Sequence, residues 1–115
     1  LHTALPIVAI AKDPALLQSL AFALRAHGYD VLSFMSWQAG QESAVGAGCV
    51  ILDGCLPRDD QEACLKALGD KVGVVVLSED DLHVFDRRGL RILQKPLSGV
   101  DVVAAVSAIR DEARR

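Results

Sequence analysis

Three short apolar runs in this chain each stop on one polar side chain. Val50-Ile51-Leu52 stops on Asp53, Val74-Val75-Val76-Leu77 on Ser78, and Ile92-Leu93-Gln94 on Lys95. Brief unbroken runs rich in Val and Ile read as strands buried on both faces, the habit of a parallel sheet. In such sheets ligands and chemistry gather at the carboxyl ends of the strands. A carboxylate, a hydroxyl and an ammonium assembled there suit the acceptance and neutralisation of a phosphoryl group.

The remaining segments fit the same plan. Pro6 precedes a first strand, Ile7-Val8-Ala9-Ile10. Asp13 followed by Pro14 reads as an N-cap with proline in the first helical position. Leu16, Leu17, Leu20, Ala21 and Leu24 then recur at helical spacing, and Gly28 is placed to end that helix. Val31 to Phe34 is a second strand. Ser36 caps a helix over Trp37 to Val45, in which Gly40 costs about 1 kcal/mol relative to alanine. A third strand runs from Cys49 to Asp53. Asp59 and Asp60 open the next helix, where negative charge favours the N-terminus, and Gly69 closes it. Val72 to Leu77 is a fourth strand. Ser78-Glu79-Asp80-Asp81 leads into a short helix ending near Arg88, with Gly89 as its stop. Leu90 to Leu93 is a fifth strand. Ser98 caps a last helix with Val102, Val103, Val106 and Ile109 on one face. Strand and helix therefore alternate five times. The expectation is an α/β domain over residues 5–113, a five-stranded parallel sheet with helices on both faces.

Composition narrows the function classes. A chain of 115 residues, 51% hydrophobic and only 4% aromatic, holds one aliphatic core. A net charge of −3 gives no basic footprint, so direct nucleic-acid binding by this domain is not expected. No apolar run approaches the ~20 residues that span a bilayer. Leu1 to Leu5 have neither the charged start nor the apolar stretch of a signal peptide. The three cysteines, Cys49, Cys55 and Cys64, are odd in number, form no C-x-x-C pair and have no histidine at zinc-ligand spacing. Reduced thiols in a cytoplasmic protein are expected. Ile10-Ala11-Lys12-Asp13-Pro14 contains no Gly-rich turn for a nucleotide phosphate. No Ser/His/Asp or Cys/His arrangement suggests nucleophilic catalysis, so an α/β enzyme is the less favoured class.

Taken together, the strand ends resemble bacterial two-component response-regulator receiver domains. Val50 to Pro57 looks like the family's phosphorylation-site strand and loop, Val75 to Ser78 like its fourth strand, and Leu93-Gln94-Lys95-Pro96-Leu97 like its Lys-Pro motif. Asp13 to Leu17 and Ala26 to Val31 resemble its first helix and second strand. The match covers essentially the whole chain. It implies the flavodoxin-like (βα)5 receiver fold. Asp53 would be the phosphoacceptor, Lys95 would pair with that carboxylate and then with the phosphoryl oxygens, and Ser78 would turn inward to bond the phosphoryl group. The implied partners are proteins: a sensor kinase, another regulator, or an output domain outside this chain, for which a DNA-binding module is one candidate. Homodimerisation through the last strand and helix is a secondary expectation.

The departures from that pattern set the finer expectation. The family holds a divalent metal with an acidic pair at the end of the first strand, where this chain has Ala11 and Lys12. A methyl offers no ligand, and a protonated ammonium has no lone pair, so no Mg²⁺ site is expected. Asp13 falls one place later, where capping explains it. The aromatic switch position holds Ile92, which has neither ring nor hydroxyl. The stretch from Ser78 to Lys95 is short, implying a shortened fourth helix. The chain is therefore expected to be an atypical receiver acting through protein contacts. In one version Lys12, with or without Lys95, forms a static pair with Asp53. In the other, the lysines support metal-independent phosphorylation. The isolated features have plainer readings: His27 completes a helix end, Cys55 is a small unreactive side chain, and Trp37 is a packing or partner contact. Arg110, Arg114 and Arg115 mark a charged surface.

Overall fold

A computed structural model of the chain describes residues 5–78, 90–95 and 98–113. Five strands, β1 (Ile7–Ile10), β2 (Val31–Phe34), β3 (Cys49–Asp53), β4 (Gly73–Ser78) and β5 (Leu90–Gln94), form one sheet in the order β2-β1-β3-β4-β5. Every neighbouring pair is parallel. Four helices accompany them among the described residues: α1 (Pro14–Arg25), α2 (Trp37–Val45), α3 (Arg58–Leu68) and α4 (Gly99–Ala113). The short helix expected after Ser78, and with it the shortening of the fourth helix, lies outside the described residues. So do Glu79 to Gly89 with His83, as well as His2, Pro96, Leu97, Arg114 and Arg115.

Local chemistry sets the helix starts. Asp13 Oδ1 accepts the Ala15 N–H at 3.0 Å ahead of Pro14, which is the capping role expected of it. Ser36 Oγ accepts the Ala39 N–H at 3.1 Å, and Ser98 Oγ accepts that of Asp101 at 3.2 Å. α1 ends where Gly28 turns to φ +88°, a conformation favouring glycine. α3 starts at Arg58, one residue before the expected Asp59, because the extended Pro57 is its N-cap. Asp59 and Asp60 then occupy its first turn, where their charge opposes the helix dipole favourably. β4 lies one residue further along than expected, since Ser78 pairs in register with Gln94.

The alternation of strand side chains divides the interior into two cores. Ile7, Ala9, Cys49, Ile51, Val75 and Leu77 face Leu17, Leu20 and Leu24 of α1 and Val102, Val106 and Ile109 of α4. Val8, Ile10, Val50, Leu52, Val74 and Val76 face Trp37 and Ala44 of α2 and Cys64 and Leu68 of α3. The three inner strands are therefore buried on both sides, which is why their sequences run apolar without alternation. Their carboxyl ends emerge together at one rim, and that rim carries the polar residues.

Candidate functional site

The sheet order places β3 in the middle, so Asp53 at its end is flanked by β1 and β4. Asp53 is 3% exposed and Ser78 4%, the two buried polar residues among those described. Asp53 pairs in register with Leu77, and the Ser78 carbonyl accepts the Lys95 N–H at 2.8 Å. These contacts fix where Lys95 leaves the sheet. Its Nζ then reaches Asp53 Oδ1 at 2.8 Å, with the lysine side chain 19% exposed. The same Nζ lies 3.6 Å from Cys55 Sγ. Partial burial alone would lower the Lys95 pKa. The hydrogen bond to Asp53, the aspartate charge and the neighbouring Cys55 outweigh that, and the ammonium is held above its ordinary 10.5.

The loop after Asp53 is tied down on both sides. The Cys55 N–H donates to Asp53 Oδ1 at 3.1 Å, so this oxygen serves both the loop and Lys95. The Gly54 N–H donates to the Leu77 carbonyl at 2.7 Å. A Cβ on Gly54 would sit 2.6 Å from that carbonyl oxygen, so the close approach of loop and β4 needs glycine. From α3, Gln61 Nε2 donates to the carbonyls of Gly54 at 3.0 Å and Leu56 at 2.8 Å. Sequence reading did not single out Gln61. Its only signal was a polar residue near the start of an expected helix, which by itself says nothing about a loop behind it. Gly54, following directly on a buried strand, was the more legible of the two.

The structure thus brings Asp53, Lys95 and Cys55 into contact and sets Ser78 at the adjacent strand end. β1 contributes differently. Ile10 pairs with Leu52, so the next residue, Ala11, stands at the level of Asp53; its methyl is buried at 1% exposure. Lys12 is exposed and makes no ion pair among the described residues. The cation on Asp53 is Lys95. Ile92 lies on β5 at 37% exposure. Among the described residues no group of three or more His, Cys, Asp or Glu side chains converges as metal ligands would. Cys49 and Cys64 are buried and Cys55 is exposed, and among the described residues none is in a disulfide.

Comparison with solved structures finds the same architecture. A response-regulator receiver domain from Clostridium thermocellum superimposes with a TM-score of 0.80 at 21% identity, over 97% of this chain and 98% of that one. The receiver domain of a sensor histidine kinase from Pseudomonas aeruginosa, which has a magnesium ion coordinated in its active-site cleft, gives 0.78 at 16% identity, over 95% and 99%. These identities establish the fold. No family model matches the chain. The transcriptional regulator protein FixT of Rhizobium meliloti is 30% identical over 104 residues, which are 90% of each protein. The chain belongs to the response-regulator receiver family. The strand order is that of a receiver, a signalling module of two-component systems.

Proposed function

We propose that this receiver regulates a protein partner in a two-component pathway and that Mg²⁺-dependent phosphorylation of Asp53 is impaired. The observation that carries the reading is the donor set around Asp53. One carboxylate oxygen already holds the Lys95 ammonium and the Cys55 N–H, and β1 adds a buried methyl and an exposed ammonium in place of carboxylates. The described residues do not fit a hard divalent cation, which needs oxygen ligands. Lys95 supplies a fixed positive charge at the carboxylate instead. The domain then presents one conformation to its partner without needing a phosphoryl group. FixT, a transcriptional regulator by name, is in keeping with a regulatory role. The partner classes that fit are a sensor kinase, an output domain or another regulator, in the cytoplasm, with no direct contact to nucleic acid. No helix among the described residues is long and apolar enough to cross a membrane.

Intact-mass spectrometry after incubation with acetyl phosphate, with and without Mg²⁺, tests the reading against an Asp53→Ala control. No adduct under either condition is the expected result. An adduct that requires both Asp53 and Mg²⁺ would overturn it.

One observation favours a second reading, in which Asp53 is a working acceptor. Among the described residues both contacts of its carboxylate fall on Oδ1, and in this reading Oδ2 attacks the phosphodonor. Here an adduct forms without Mg²⁺, the two lysines offsetting the phosphoryl charge. A homodimer through the last strand and helix would draw on the groove between β5 and α4, which Arg91, Ile92, Asp101 and Ala108 help to line. Opposite charges on one groove suit a two-fold contact. Sedimentation showing only monomer at high concentration would exclude it.

A further inference from the structure

Gln61 has a place in this site that neither the family resemblance nor the strand-end reasoning assigns. Its amide nitrogen carries two hydrogens and meets two carbonyls, Leu56 at 2.8 Å and Gly54 at 3.0 Å. Those carbonyls bracket Cys55, whose N–H is the one that reaches Asp53 Oδ1. Both N–H groups of the side chain are thereby used. On its other side the same loop is fixed by the Gly54 N–H on Leu77. The peptide carrying the Cys55 N–H is therefore clamped between β4 and α3.

We propose that Gln61 is a positioning residue for the Asp53 site. Acting through the Gly54 and Leu56 carbonyls, it holds the Cys55 N–H on the carboxylate and so keeps Asp53 in the orientation that Lys95 meets. The clamp ties the loop to α3, so a partner that shifts α3 would also move the carboxylate. The inference rests on the reading of Asp53 as the regulatory centre, but not on whether Asp53 is phosphorylated.

The test uses amide hydrogen exchange by NMR on the whole domain. Gln61→Glu is near-isosteric but sets an acceptor against two acceptors, Gln61→Ala removes the contact, and Gln61→Lys restores donors. The Gly69 N–H, bonded to Leu65 at 3.2 Å at the far end of α3, reports on the helix itself. Loss of the clamp should speed exchange at Cys55 roughly tenfold, the effect of losing hydrogen bonds of ordinary net strength. Gly69 should be unchanged, and Gln61→Lys should return Cys55 toward wild type. Unchanged Cys55 exchange in Gln61→Glu and Gln61→Ala would overturn the proposal. So would parallel acceleration at Cys55 and Gly69, which would make Gln61 a support of α3 alone. Should Gln61→Glu fail to fold, the Ala and Lys variants carry the same comparison. Phosphorylation chemistry is read separately, from the acetyl phosphate adduct of the wild-type protein, so failure of one conclusion is not failure of the other.

Discussion

At the scale of single residues, the Asp53–Lys95 pair dominates. Asp53 is almost fully buried, whereas the Lys95 side chain keeps 19% exposure, so the two partners are not equivalent. Lys95→Met leaves a buried carboxylate without its cation, and the expected loss is roughly 2–4 kcal/mol in urea denaturation. Asp53→Asn leaves a lysine that water can reach and should cost less. Equal losses would contradict the asymmetry. The pair also has a pH dependence of definite sign. Folding raises the Lys95 pKa above 10.5, so the folded state binds the proton more tightly than the unfolded one. That contribution is complete below the unfolded value and disappears as pH rises through the folded value. Wild type should therefore lose more stability than Lys95→Met as pH rises above 10.5; parallel curves would show that Lys95 is uncoupled from folding. The cysteines divide equally clearly. Burial pushes the Cys49 thiol up to about 12, a rise that nearby Arg110 only partly offsets, and Cys64 is buried as well. Native protein treated with iodoacetamide should gain one adduct, at exposed Cys55, with the other two appearing only after unfolding. Early labelling of Cys49 would mean that β3 opens far more readily than its burial implies.

At the scale of elements, glycines separate what propensity says from what packing requires. Gly40 weakens α2 by propensity, so alanine there should gain about 1 kcal/mol. The Phe34 side chain lies against it, however, and a Cβ would meet its ring atoms at 2.8 and 2.9 Å and its Cβ at 3.1 Å. Rotating the ring away does not free the last contact. Gly40→Ala should therefore be net destabilising. Gly54→Ala meets the Leu77 backbone at 2.6 Å, where no side chain can yield, and should cost roughly 1–3 kcal/mol. It should also accelerate exchange at Cys55. Gly46→Ala, with nothing within 4 Å, is the control, and thermal melts of the three variants decide the ranking. The same contrast explains what could be read in advance. The inner strands were legible because burial on both faces writes itself as continuous Val, Ile and Leu. The limits of β4 were not, because Val72 is buried without pairing while Ser78 is polar and paired. Hydrophobicity marks burial, whereas a ladder marks hydrogen bonding. The ends of α1 and α2 were legible through Asp13, Ser36 and Gly28, whose chemistry acts locally. Gln61 was not, since its partners depend on how α3 sits against a loop.

At the scale of the molecule, one sheet with a core on each face fixes where chemistry is possible. α1 and α4 close one face together, and the turn after α1 is tied to α4 by Tyr29 Oη to Ser107 Oγ at 2.9 Å and by the Arg110 guanidinium 5.2 Å from the Tyr29 ring centroid. Among the described residues the buried polar side chains, Asp53 and Ser78, both sit at the strand-end rim, so that rim is where a charge change can be felt by the whole fold. That rim was legible at Asp53, Ser78 and Lys95, because a polar residue ending an apolar run is a strong local contrast. The direction of Lys12 was not, since a long flexible stem carries no periodic signal. If the missing acidic pair is what separates this chain from a metal-binding receiver, restoring it should make folding depend on Mg²⁺. Ala11→Asp combined with Lys12→Asp sets new carboxylates beside Asp53, one of them at a position now 1% exposed. Without a cation they repel one another and lose hydration, at a cost of roughly 2–4 kcal/mol. With Mg²⁺ the same groups become ligands, and binding to the folded state alone returns about 2.7 kcal/mol at a hundredfold excess over Kd. For a domain of this size that is a rise in Tm of at least roughly 10 °C. Wild type, with a methyl and an ammonium in those places, should show no comparable rise. A double variant whose Tm ignores Mg²⁺, or a wild type that responds equally, would mean that the acidic pair is not what distinguishes this receiver.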